Sequence, residues 1–295
     1  MGLIPNRLRK ASKDPEGRMP VLDHLRELRR RLIIIVLIIL AGGVAGWFLY
    51  GHILDVLRHP YCNVPAKYRY IANNTSKCSL VYHGVLDGFT ARLKVCAISG
   101  AVFTGPLWLY QIWAFITPGL RKNERKYTLW FIFFSTVLFA AGVSLAYVVL
   151  SKGLRFVLEQ AGTGAVAQLT VNDYISFVTL MLVVFGAAFE LPLVVVMANF
   201  AGVLPARLLK KTRRAAIFLI FLFAAIATPS TDPFTMCAMA VPMVVLFEIA
   251  IQVATVHDRR KARRLEAERA EPHLDDTVPS EVDPIPRGLD WSDST

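Results

Sequence analysis

The chain is 295 residues long, 55% hydrophobic and only 19% charged, with a formal net charge of +11 and a mean hydropathy of +0.46. A soluble domain carries about 25% charged residues, so the composition points away from an ordinary soluble fold. What remains is a chain organised by its uncharged runs, since a helix needs about 20 apolar residues to cross a bilayer.

Residues 1–18 are polar and basic and are expected to be disordered. In PVLDHLRELRRRL, 20–32, the residues Val21, Leu22, Leu25, Leu28 and Leu32 recur at helical spacing. They predict an interfacial helix leading into the first span. Uncharged runs then follow at 32–51, 95–120, 127–151, 174–206 (interrupted by Glu190), 215–231 and 233–256 (interrupted by Glu248). Six such runs predict an all-α protein with six transmembrane helices. The first run begins too late and is too long for a cleaved leader, and Asn6 stands where a myristoylation motif wants Ser or Thr. Gly42 and Gly46 read as helix-packing positions.

The loop 52–91 contains Pro60 and Pro65 and is expected to hold short helices over the outer face. The turn TPGLRKNERKY, 117–127, is short and basic, with Glu124 as its one acid. Run 215–231 has 17 residues and includes Pro229. As a helix it covers about 25 Å, short of a roughly 30 Å hydrocarbon core, so it should thin the bilayer or need a partner helix. The segment RRKARRLEAERAE extends helix six, and the rest of 257–295 reads as a charged, largely disordered tail.

Lys and Arg number nine in 1–32, four in 118–127, five in 200–214 and seven after 256, against eight on the other side. The positive-inside rule therefore puts both termini in the cytoplasm. These cations sit at span ends and are not interleaved with aromatics, so nucleic acid is not an expected partner. No GxxxxGK[ST], HExxH or GxSxG occurs, which argues against an ATP-driven motor, a metalloprotease and a serine hydrolase. No CxxC or Cys/His ligand set occurs either. Neither enzyme activity, nor a metal, nor a cofactor is expected. Cys96 and Cys237 lie in apolar runs and read as packing residues. Cys62 and Cys78 share the loop 52–91; they pair if that compartment is oxidising and otherwise remain two loop thiols.

Three acids stand apart. Glu27 is four residues before Arg31, where an intrahelical pair worth a few tenths of a kcal/mol is the local reading. Glu124 sits among Arg121, Lys122, Arg125 and Lys126, where a solvated ion pair is worth at most about 1 kcal/mol. Glu190 has no charged residue within sixteen positions on either side. A mid-membrane carboxyl either hydrogen-bonds a neighbouring helix or faces a wet cavity. Taken alone, it also fits a proton-coupled small-molecule secondary transporter, although no inverted repeat is evident among the runs.

Four stretches resemble one family in its order and spacing: HLRELRRRL at 24–32, PLWLYQIWAFITPGLRKNERK at 106–126, FGAAFELPLVVV at 185–196 and TPSTDPFTMCAMAVPMVVLFEI at 228–249. Together they are similar to the TatC family, the multispanning receptor of the twin-arginine protein export system, over residues 19–256. The resemblance implies six transmembrane helices in a concave, glove-like bundle with both termini cytoplasmic, in the plasma membrane. It implies export of folded proteins on the proton-motive force. The implied partners are twin-arginine signal peptides, the single-span subunits TatA and TatB, further TatC copies and the lipid bilayer. Glu27 and Glu124 match the family's signal-binding glutamates, and Arg29 and Arg31 its neighbouring basic positions. Pro60, Phe115 and Glu190 align with positions important for function, and Asp232 with the aspartate of the outer TPxD-type loop. TPSTDPF is one residue longer than the usual form, and Met236 stands where the family often has Gln.

Overall fold

The computed structural model describes residues 21–65, 80–116, 125–159, 169–228 and 232–270. The expected disorder of 1–18 falls outside these residues, as do Glu124, Cys78 and the end of the tail. The described residues are helical, with one isolated bridge between Val81 and Thr170. The chain divides into two compact units, residues 1–255 and 256–295.

The helices are α1 (Val21–Phe48), α2 (Tyr50–Cys62), α3 (Asp87–Phe103), α4 (Gly105–Ile116), α5 (Arg125–Glu159), α6 (Val171–Phe200), α7 (Ala206–Lys211), α8 (Arg213–Ala227) and α9 (Pro233–Ala270). Four of them, α1, α5, α6 and α9, are long and apolar enough to cross a bilayer; the bent α3–α4 pair makes a fifth if taken as one span. The expectation of six spans thus rests on α8, whose 15 residues rise only about 22 Å.

The helix expected over 20–32 is described from Val21 and leads without a break into the first span as α1, since no Pro or Gly interrupts it before Gly42. The run 95–120 is no single straight span. It bends by 61° between α3 and α4. Pro106 supplies no N–H and its ring would clash with the carbonyl four residues back, so α4 starts afresh with Pro106 in its first turn. The Thr104 hydroxyl closes α3 by donating to the Gly100 carbonyl at 2.7 Å. The Trp108 indole spans the bend, donating to the Ala101 carbonyl at 2.8 Å.

The main core gathers on α6. Tyr174, Ile175, Val178, Met181 and Phe185 are fully enclosed and pack with Ala146 and Leu150 of α5 and Val95 of α3. Two backbone contacts set how closely the helices approach. A Cβ on Gly100 would lie 2.5 Å from the Ile39 carbonyl oxygen of α1, and one on Gly142 would lie 2.6 Å from that of Phe185. Gly42 and Gly46 occupy the same α1–α3 contact, as their reading as packing positions requires. The Tyr147 hydroxyl ties α5 to the Val56 carbonyl of α2 at 2.9 Å. α9 is preceded by Asp232, whose Oδ2 accepts the Thr235 amide at 2.6 Å, an N-cap followed by Pro at the first helical position.

Candidate functional site

At the start of α1, helical spacing puts His24, Glu27 and Arg31 on one face. Glu27 Oε1 accepts from Arg31 Nε at 2.7 Å. Arg31 Nη1 also reaches the backbone oxygen and Oε1 of Gln111 on α4, both at 3.4 Å. One turn further along α4, the Phe115 ring stacks on His24 with centroids 4.6 Å apart. The base of α1 is thus docked on the end of α4 through Glu27, Arg31 and Phe115. The Glu27–Arg31 pair is half-exposed, so solvent screening keeps it worth no more than about 0.5 kcal/mol. Arg29 is not part of this cluster; it is exposed and lines a cleft with Arg26 and Arg30.

The opposite face of α4 builds a second polar site. Trp113 is 2% exposed, and its indole donates to Ser135 Oγ of α5 at 2.8 Å. The Ser135 hydroxyl, itself inaccessible, donates to Glu190 Oε2 of α6 at 2.7 Å. Of the two expected settings for Glu190, the structure shows a hydrogen bond to a neighbouring helix, made by the α5 hydroxyl of Ser135. Glu190 Oε1 is enclosed and lacks a hydrogen-bond partner among the described residues. A carboxyl held by one oxygen, with the other free, is oriented yet still able to accept a donor.

The remaining expected site residues lie in other elements. Pro60 is buried in α2, next to Tyr61, whose ring meets Tyr174 at 5.6 Å. Asp232 is buried at the head of α9, with Oδ1 unpartnered among the described residues. Cys62 ends α2 and is disulfide-bonded; its expected partner Cys78 lies outside the described residues. Among the described residues no three His, Cys, Asp or Glu side chains converge as a metal site.

Sequence reasoning missed several contacts. Ser135 is one of a few hydroxyls in the run 127–151 and Gln111 the one amide in α4, and nothing local says what they touch. Glu248, which interrupts the last run, pairs with Arg213 at the start of α8. Lys94 donates to Asn172 Oδ1 and Ser176 Oγ of α6, both at 2.7 Å. Arg92 lies over the Trp47 ring at 4.0 Å.

Long apolar helices tied by interhelical polar contacts define a polytopic helical membrane protein. The family model described as "Sec-independent protein translocase protein (TatC)" matches residues 23–242, and the chain belongs to the TatC family. It is 44% identical over 274 residues to a Sec-independent protein translocase protein TatC of Frankia casuarinae, covering 92% of this chain and 75% of that one. It is 39% identical over 274 residues to the TatC of Corynebacterium kroppenstedtii, covering 87% and 66%. A crystal structure of the twin-arginine translocase receptor TatC in DDM superposes with a TM-score of 0.63 at 32% identity, over 78% of this chain and 99% of that one. The chain is accordingly a component of a Tat protein translocase, and the transporter reading of Glu190 gives way to protein translocation.

Proposed function

We propose that this chain binds twin-arginine signal peptides at the base of α1 and organises export of folded proteins driven by the proton-motive force. The observation that supports the reading is the state of Glu27. It is a partly exposed carboxylate whose one partner among the described residues is Arg31, in a pair worth a few tenths of a kcal/mol. A hydrogen bond to a charged partner contributes about 1.5–3 kcal/mol. An incoming guanidinium can therefore displace or share Arg31 at small cost. Glu124 serves as the second carboxylate, because two arginines want two acceptors and a bidentate fork is something Lys cannot copy. Arg29 and Arg31 are the basic neighbours, and Phe115 braces the site through His24.

In the same proposal the protein is multi-pass in the plasma membrane, with both termini cytoplasmic. Residues 19–256 form six spans in a concave bundle with α8 as the short fifth, and 257–295 a cytoplasmic tail. Glu190 is a polar group of the concave face, a contact for a passing signal peptide or for single-span TatA and TatB. Asp232 and Pro60 shape the outer ends of the bundle, and Cys62 pairs with Cys78. Further TatC copies complete the complex.

The test is site-specific cross-linking and binding of an RR signal peptide. Glu27→Ala or Glu124→Ala should weaken binding by about 1.5–3 kcal/mol, and Glu27→Lys with Glu124→Lys by more, with membrane insertion unchanged. Wild-type binding by the double Lys variant would sink the assignment.

A further inference from the structure

α1 has two opposed faces. Glu27, Arg31, Gly42 and Gly46 turn toward α3 and α4. Roughly half a turn away, Arg26, Arg29 and Arg30 line an open cleft of about 410 Å³, with Ile33 and Ile34 as its apolar end. Below the cleft the same face continues as Ile33, Leu37 and Leu40, which are 47–59% exposed. Arg26 touches one acid, the exposed Asp23 at 3.2 Å. Arg29 and Arg30 have no ion pair among the described residues.

We propose that this cleft is a binding site for an anionic phospholipid, its phosphate held by Arg26, Arg29 and Arg30 and its acyl chains laid along Ile33, Leu37 and Leu40. Three guanidiniums around one opening suit a phosphate, which they grip through forked hydrogen bonds. The apolar strip adjoins the cations directly and has the right length. From residue 30 to residue 40 the helix rises about 15 Å, half of a roughly 30 Å hydrocarbon core and so the depth of one leaflet. An acidic protein segment would use the arginines but leave the strip uncovered, and free phosphate would do the same. A di-Arg peptide finds no carboxylate in the cleft lining, and its acceptors are Glu27 and Glu124 instead. The positive-inside bias requires cations near this end of the helix but not their grouping on one face above an apolar strip. This site shares Arg29 with the proposed signal-peptide surface but does not include Glu27, and its lipid readout stands whether or not Glu27 binds a signal peptide.

The experiment is native mass spectrometry of the full-length protein in nonionic detergent, titrated with phosphatidylglycerol or phosphatidylcholine. Wild type should retain phosphatidylglycerol in preference to phosphatidylcholine. R26Q/R29Q/R30Q should lose that preference, with affinity falling about fivefold for each charge removed. R26K/R29K/R30K, which keeps the charge but loses the forked bonds, should fall between wild type and the triple Gln variant. R259Q/R260Q/K261Q, which removes as much charge from the α9 extension, should bind as wild type does. Inorganic phosphate and a soluble acidic peptide, each in excess, should not displace the lipid. Equal phosphatidylglycerol retention by wild type and the triple Gln variant overturns the proposal, as does equal loss in the α9 control, which means diffuse attraction. Displacement by phosphate, or by the peptide, overturns it in favour of that ligand. Should the triple Gln variant fail to fold, the wild-type preference and the triple Lys variant still decide.

Discussion

Ser135→Ala tests whether the Trp113–Ser135–Glu190 chain is a working part of the bundle. The substitution deletes one hydrogen bond to a carboxyl and one from an indole while changing little volume, so the cost is almost wholly polar. In a water-soluble protein those bonds contribute about 1.5–3 and about 1 kcal/mol. Within a bilayer the unfolded reference state also finds partners, and interhelical bonds average about 0.6 kcal/mol with a maximum near 1.7. Ser135 sits in an apolar span, so the second scale governs, and the expected loss is about 1–3 kcal/mol. The assay is reversible unfolding of the purified full-length protein in mixed micelles, run as a double-mutant cycle with Glu190→Leu. In the Leu background Ser135→Ala removes the Trp113 bond alone and should cost about 0.6–1 kcal/mol. The coupling between the two positions should therefore be about 0.5–2 kcal/mol, within the range for residues in one network. A coupling of zero within error would refute the claim that Ser135 holds Glu190.

Three further outcomes are expected. Glu190→Gln, which keeps a polar acceptor and cannot titrate, should retain much of the export of an RR-signal reporter normalised to membrane protein level. Glu190→Leu should insert normally yet export poorly, and full export by the Leu variant would remove Glu190 from the function. Gly100→Ala places a Cβ 2.5 Å from the Ile39 oxygen and 2.6 Å from the Gly43 nitrogen. Both are backbone atoms of α1, so thermal unfolding should show about 1–3 kcal/mol of overpacking. Alkylation of non-reduced protein followed by mass spectrometry should leave Cys62 and Cys78 unlabelled. A loop of about 15 residues closed by that disulfide contributes roughly 3 kcal/mol in the chain-entropy model, and two labelled thiols would end the idea.

The helical, membrane-spanning class was legible because it depends on a one-dimensional property, the length of uncharged sequence, which survives any arrangement of the helices. The same property hid the bend in 95–120. Hydropathy is blind to direction, and the local sequence Thr104-Gly105-Pro106 carried the signal: a proline whose ring cannot follow the preceding turn. Run 215–231 raised its own question by being short, and the structure answers with an α8 of 15 residues whose first residue, Arg213, pairs with Glu248 within α9. Neither charge could be matched from sequence, since 35 residues separate them and no periodicity links them.

Between Glu27 and Glu190 the difference is one of range, and it bears on what each can do. Glu27 has its partner at i+4, on the same helix, where spacing predicts it. Glu190 has its partner 55 residues away on another helix, with a third helix behind that partner, and spacing says nothing. A local, half-exposed pair costs a few tenths of a kcal/mol to open, and opening it moves one side chain. The interhelical chain costs about 1–3 kcal/mol to open, and opening it strands a buried indole and a hydroxyl. Glu27 therefore changes partners at lower cost than Glu190, as the proposed signal-peptide site requires. Glu190 is held the opposite way, with Oε2 fixed by Ser135 and Oε1 enclosed and without a partner among the described residues. α4 carries both arrangements, with Gln111 and Phe115 on the face toward α1 and Trp113 on the face toward α5. The bend at Thr104 sets that helix at an angle to α3, so a single 12-residue element braces the exchangeable carboxylate on one side and the fixed one on the other.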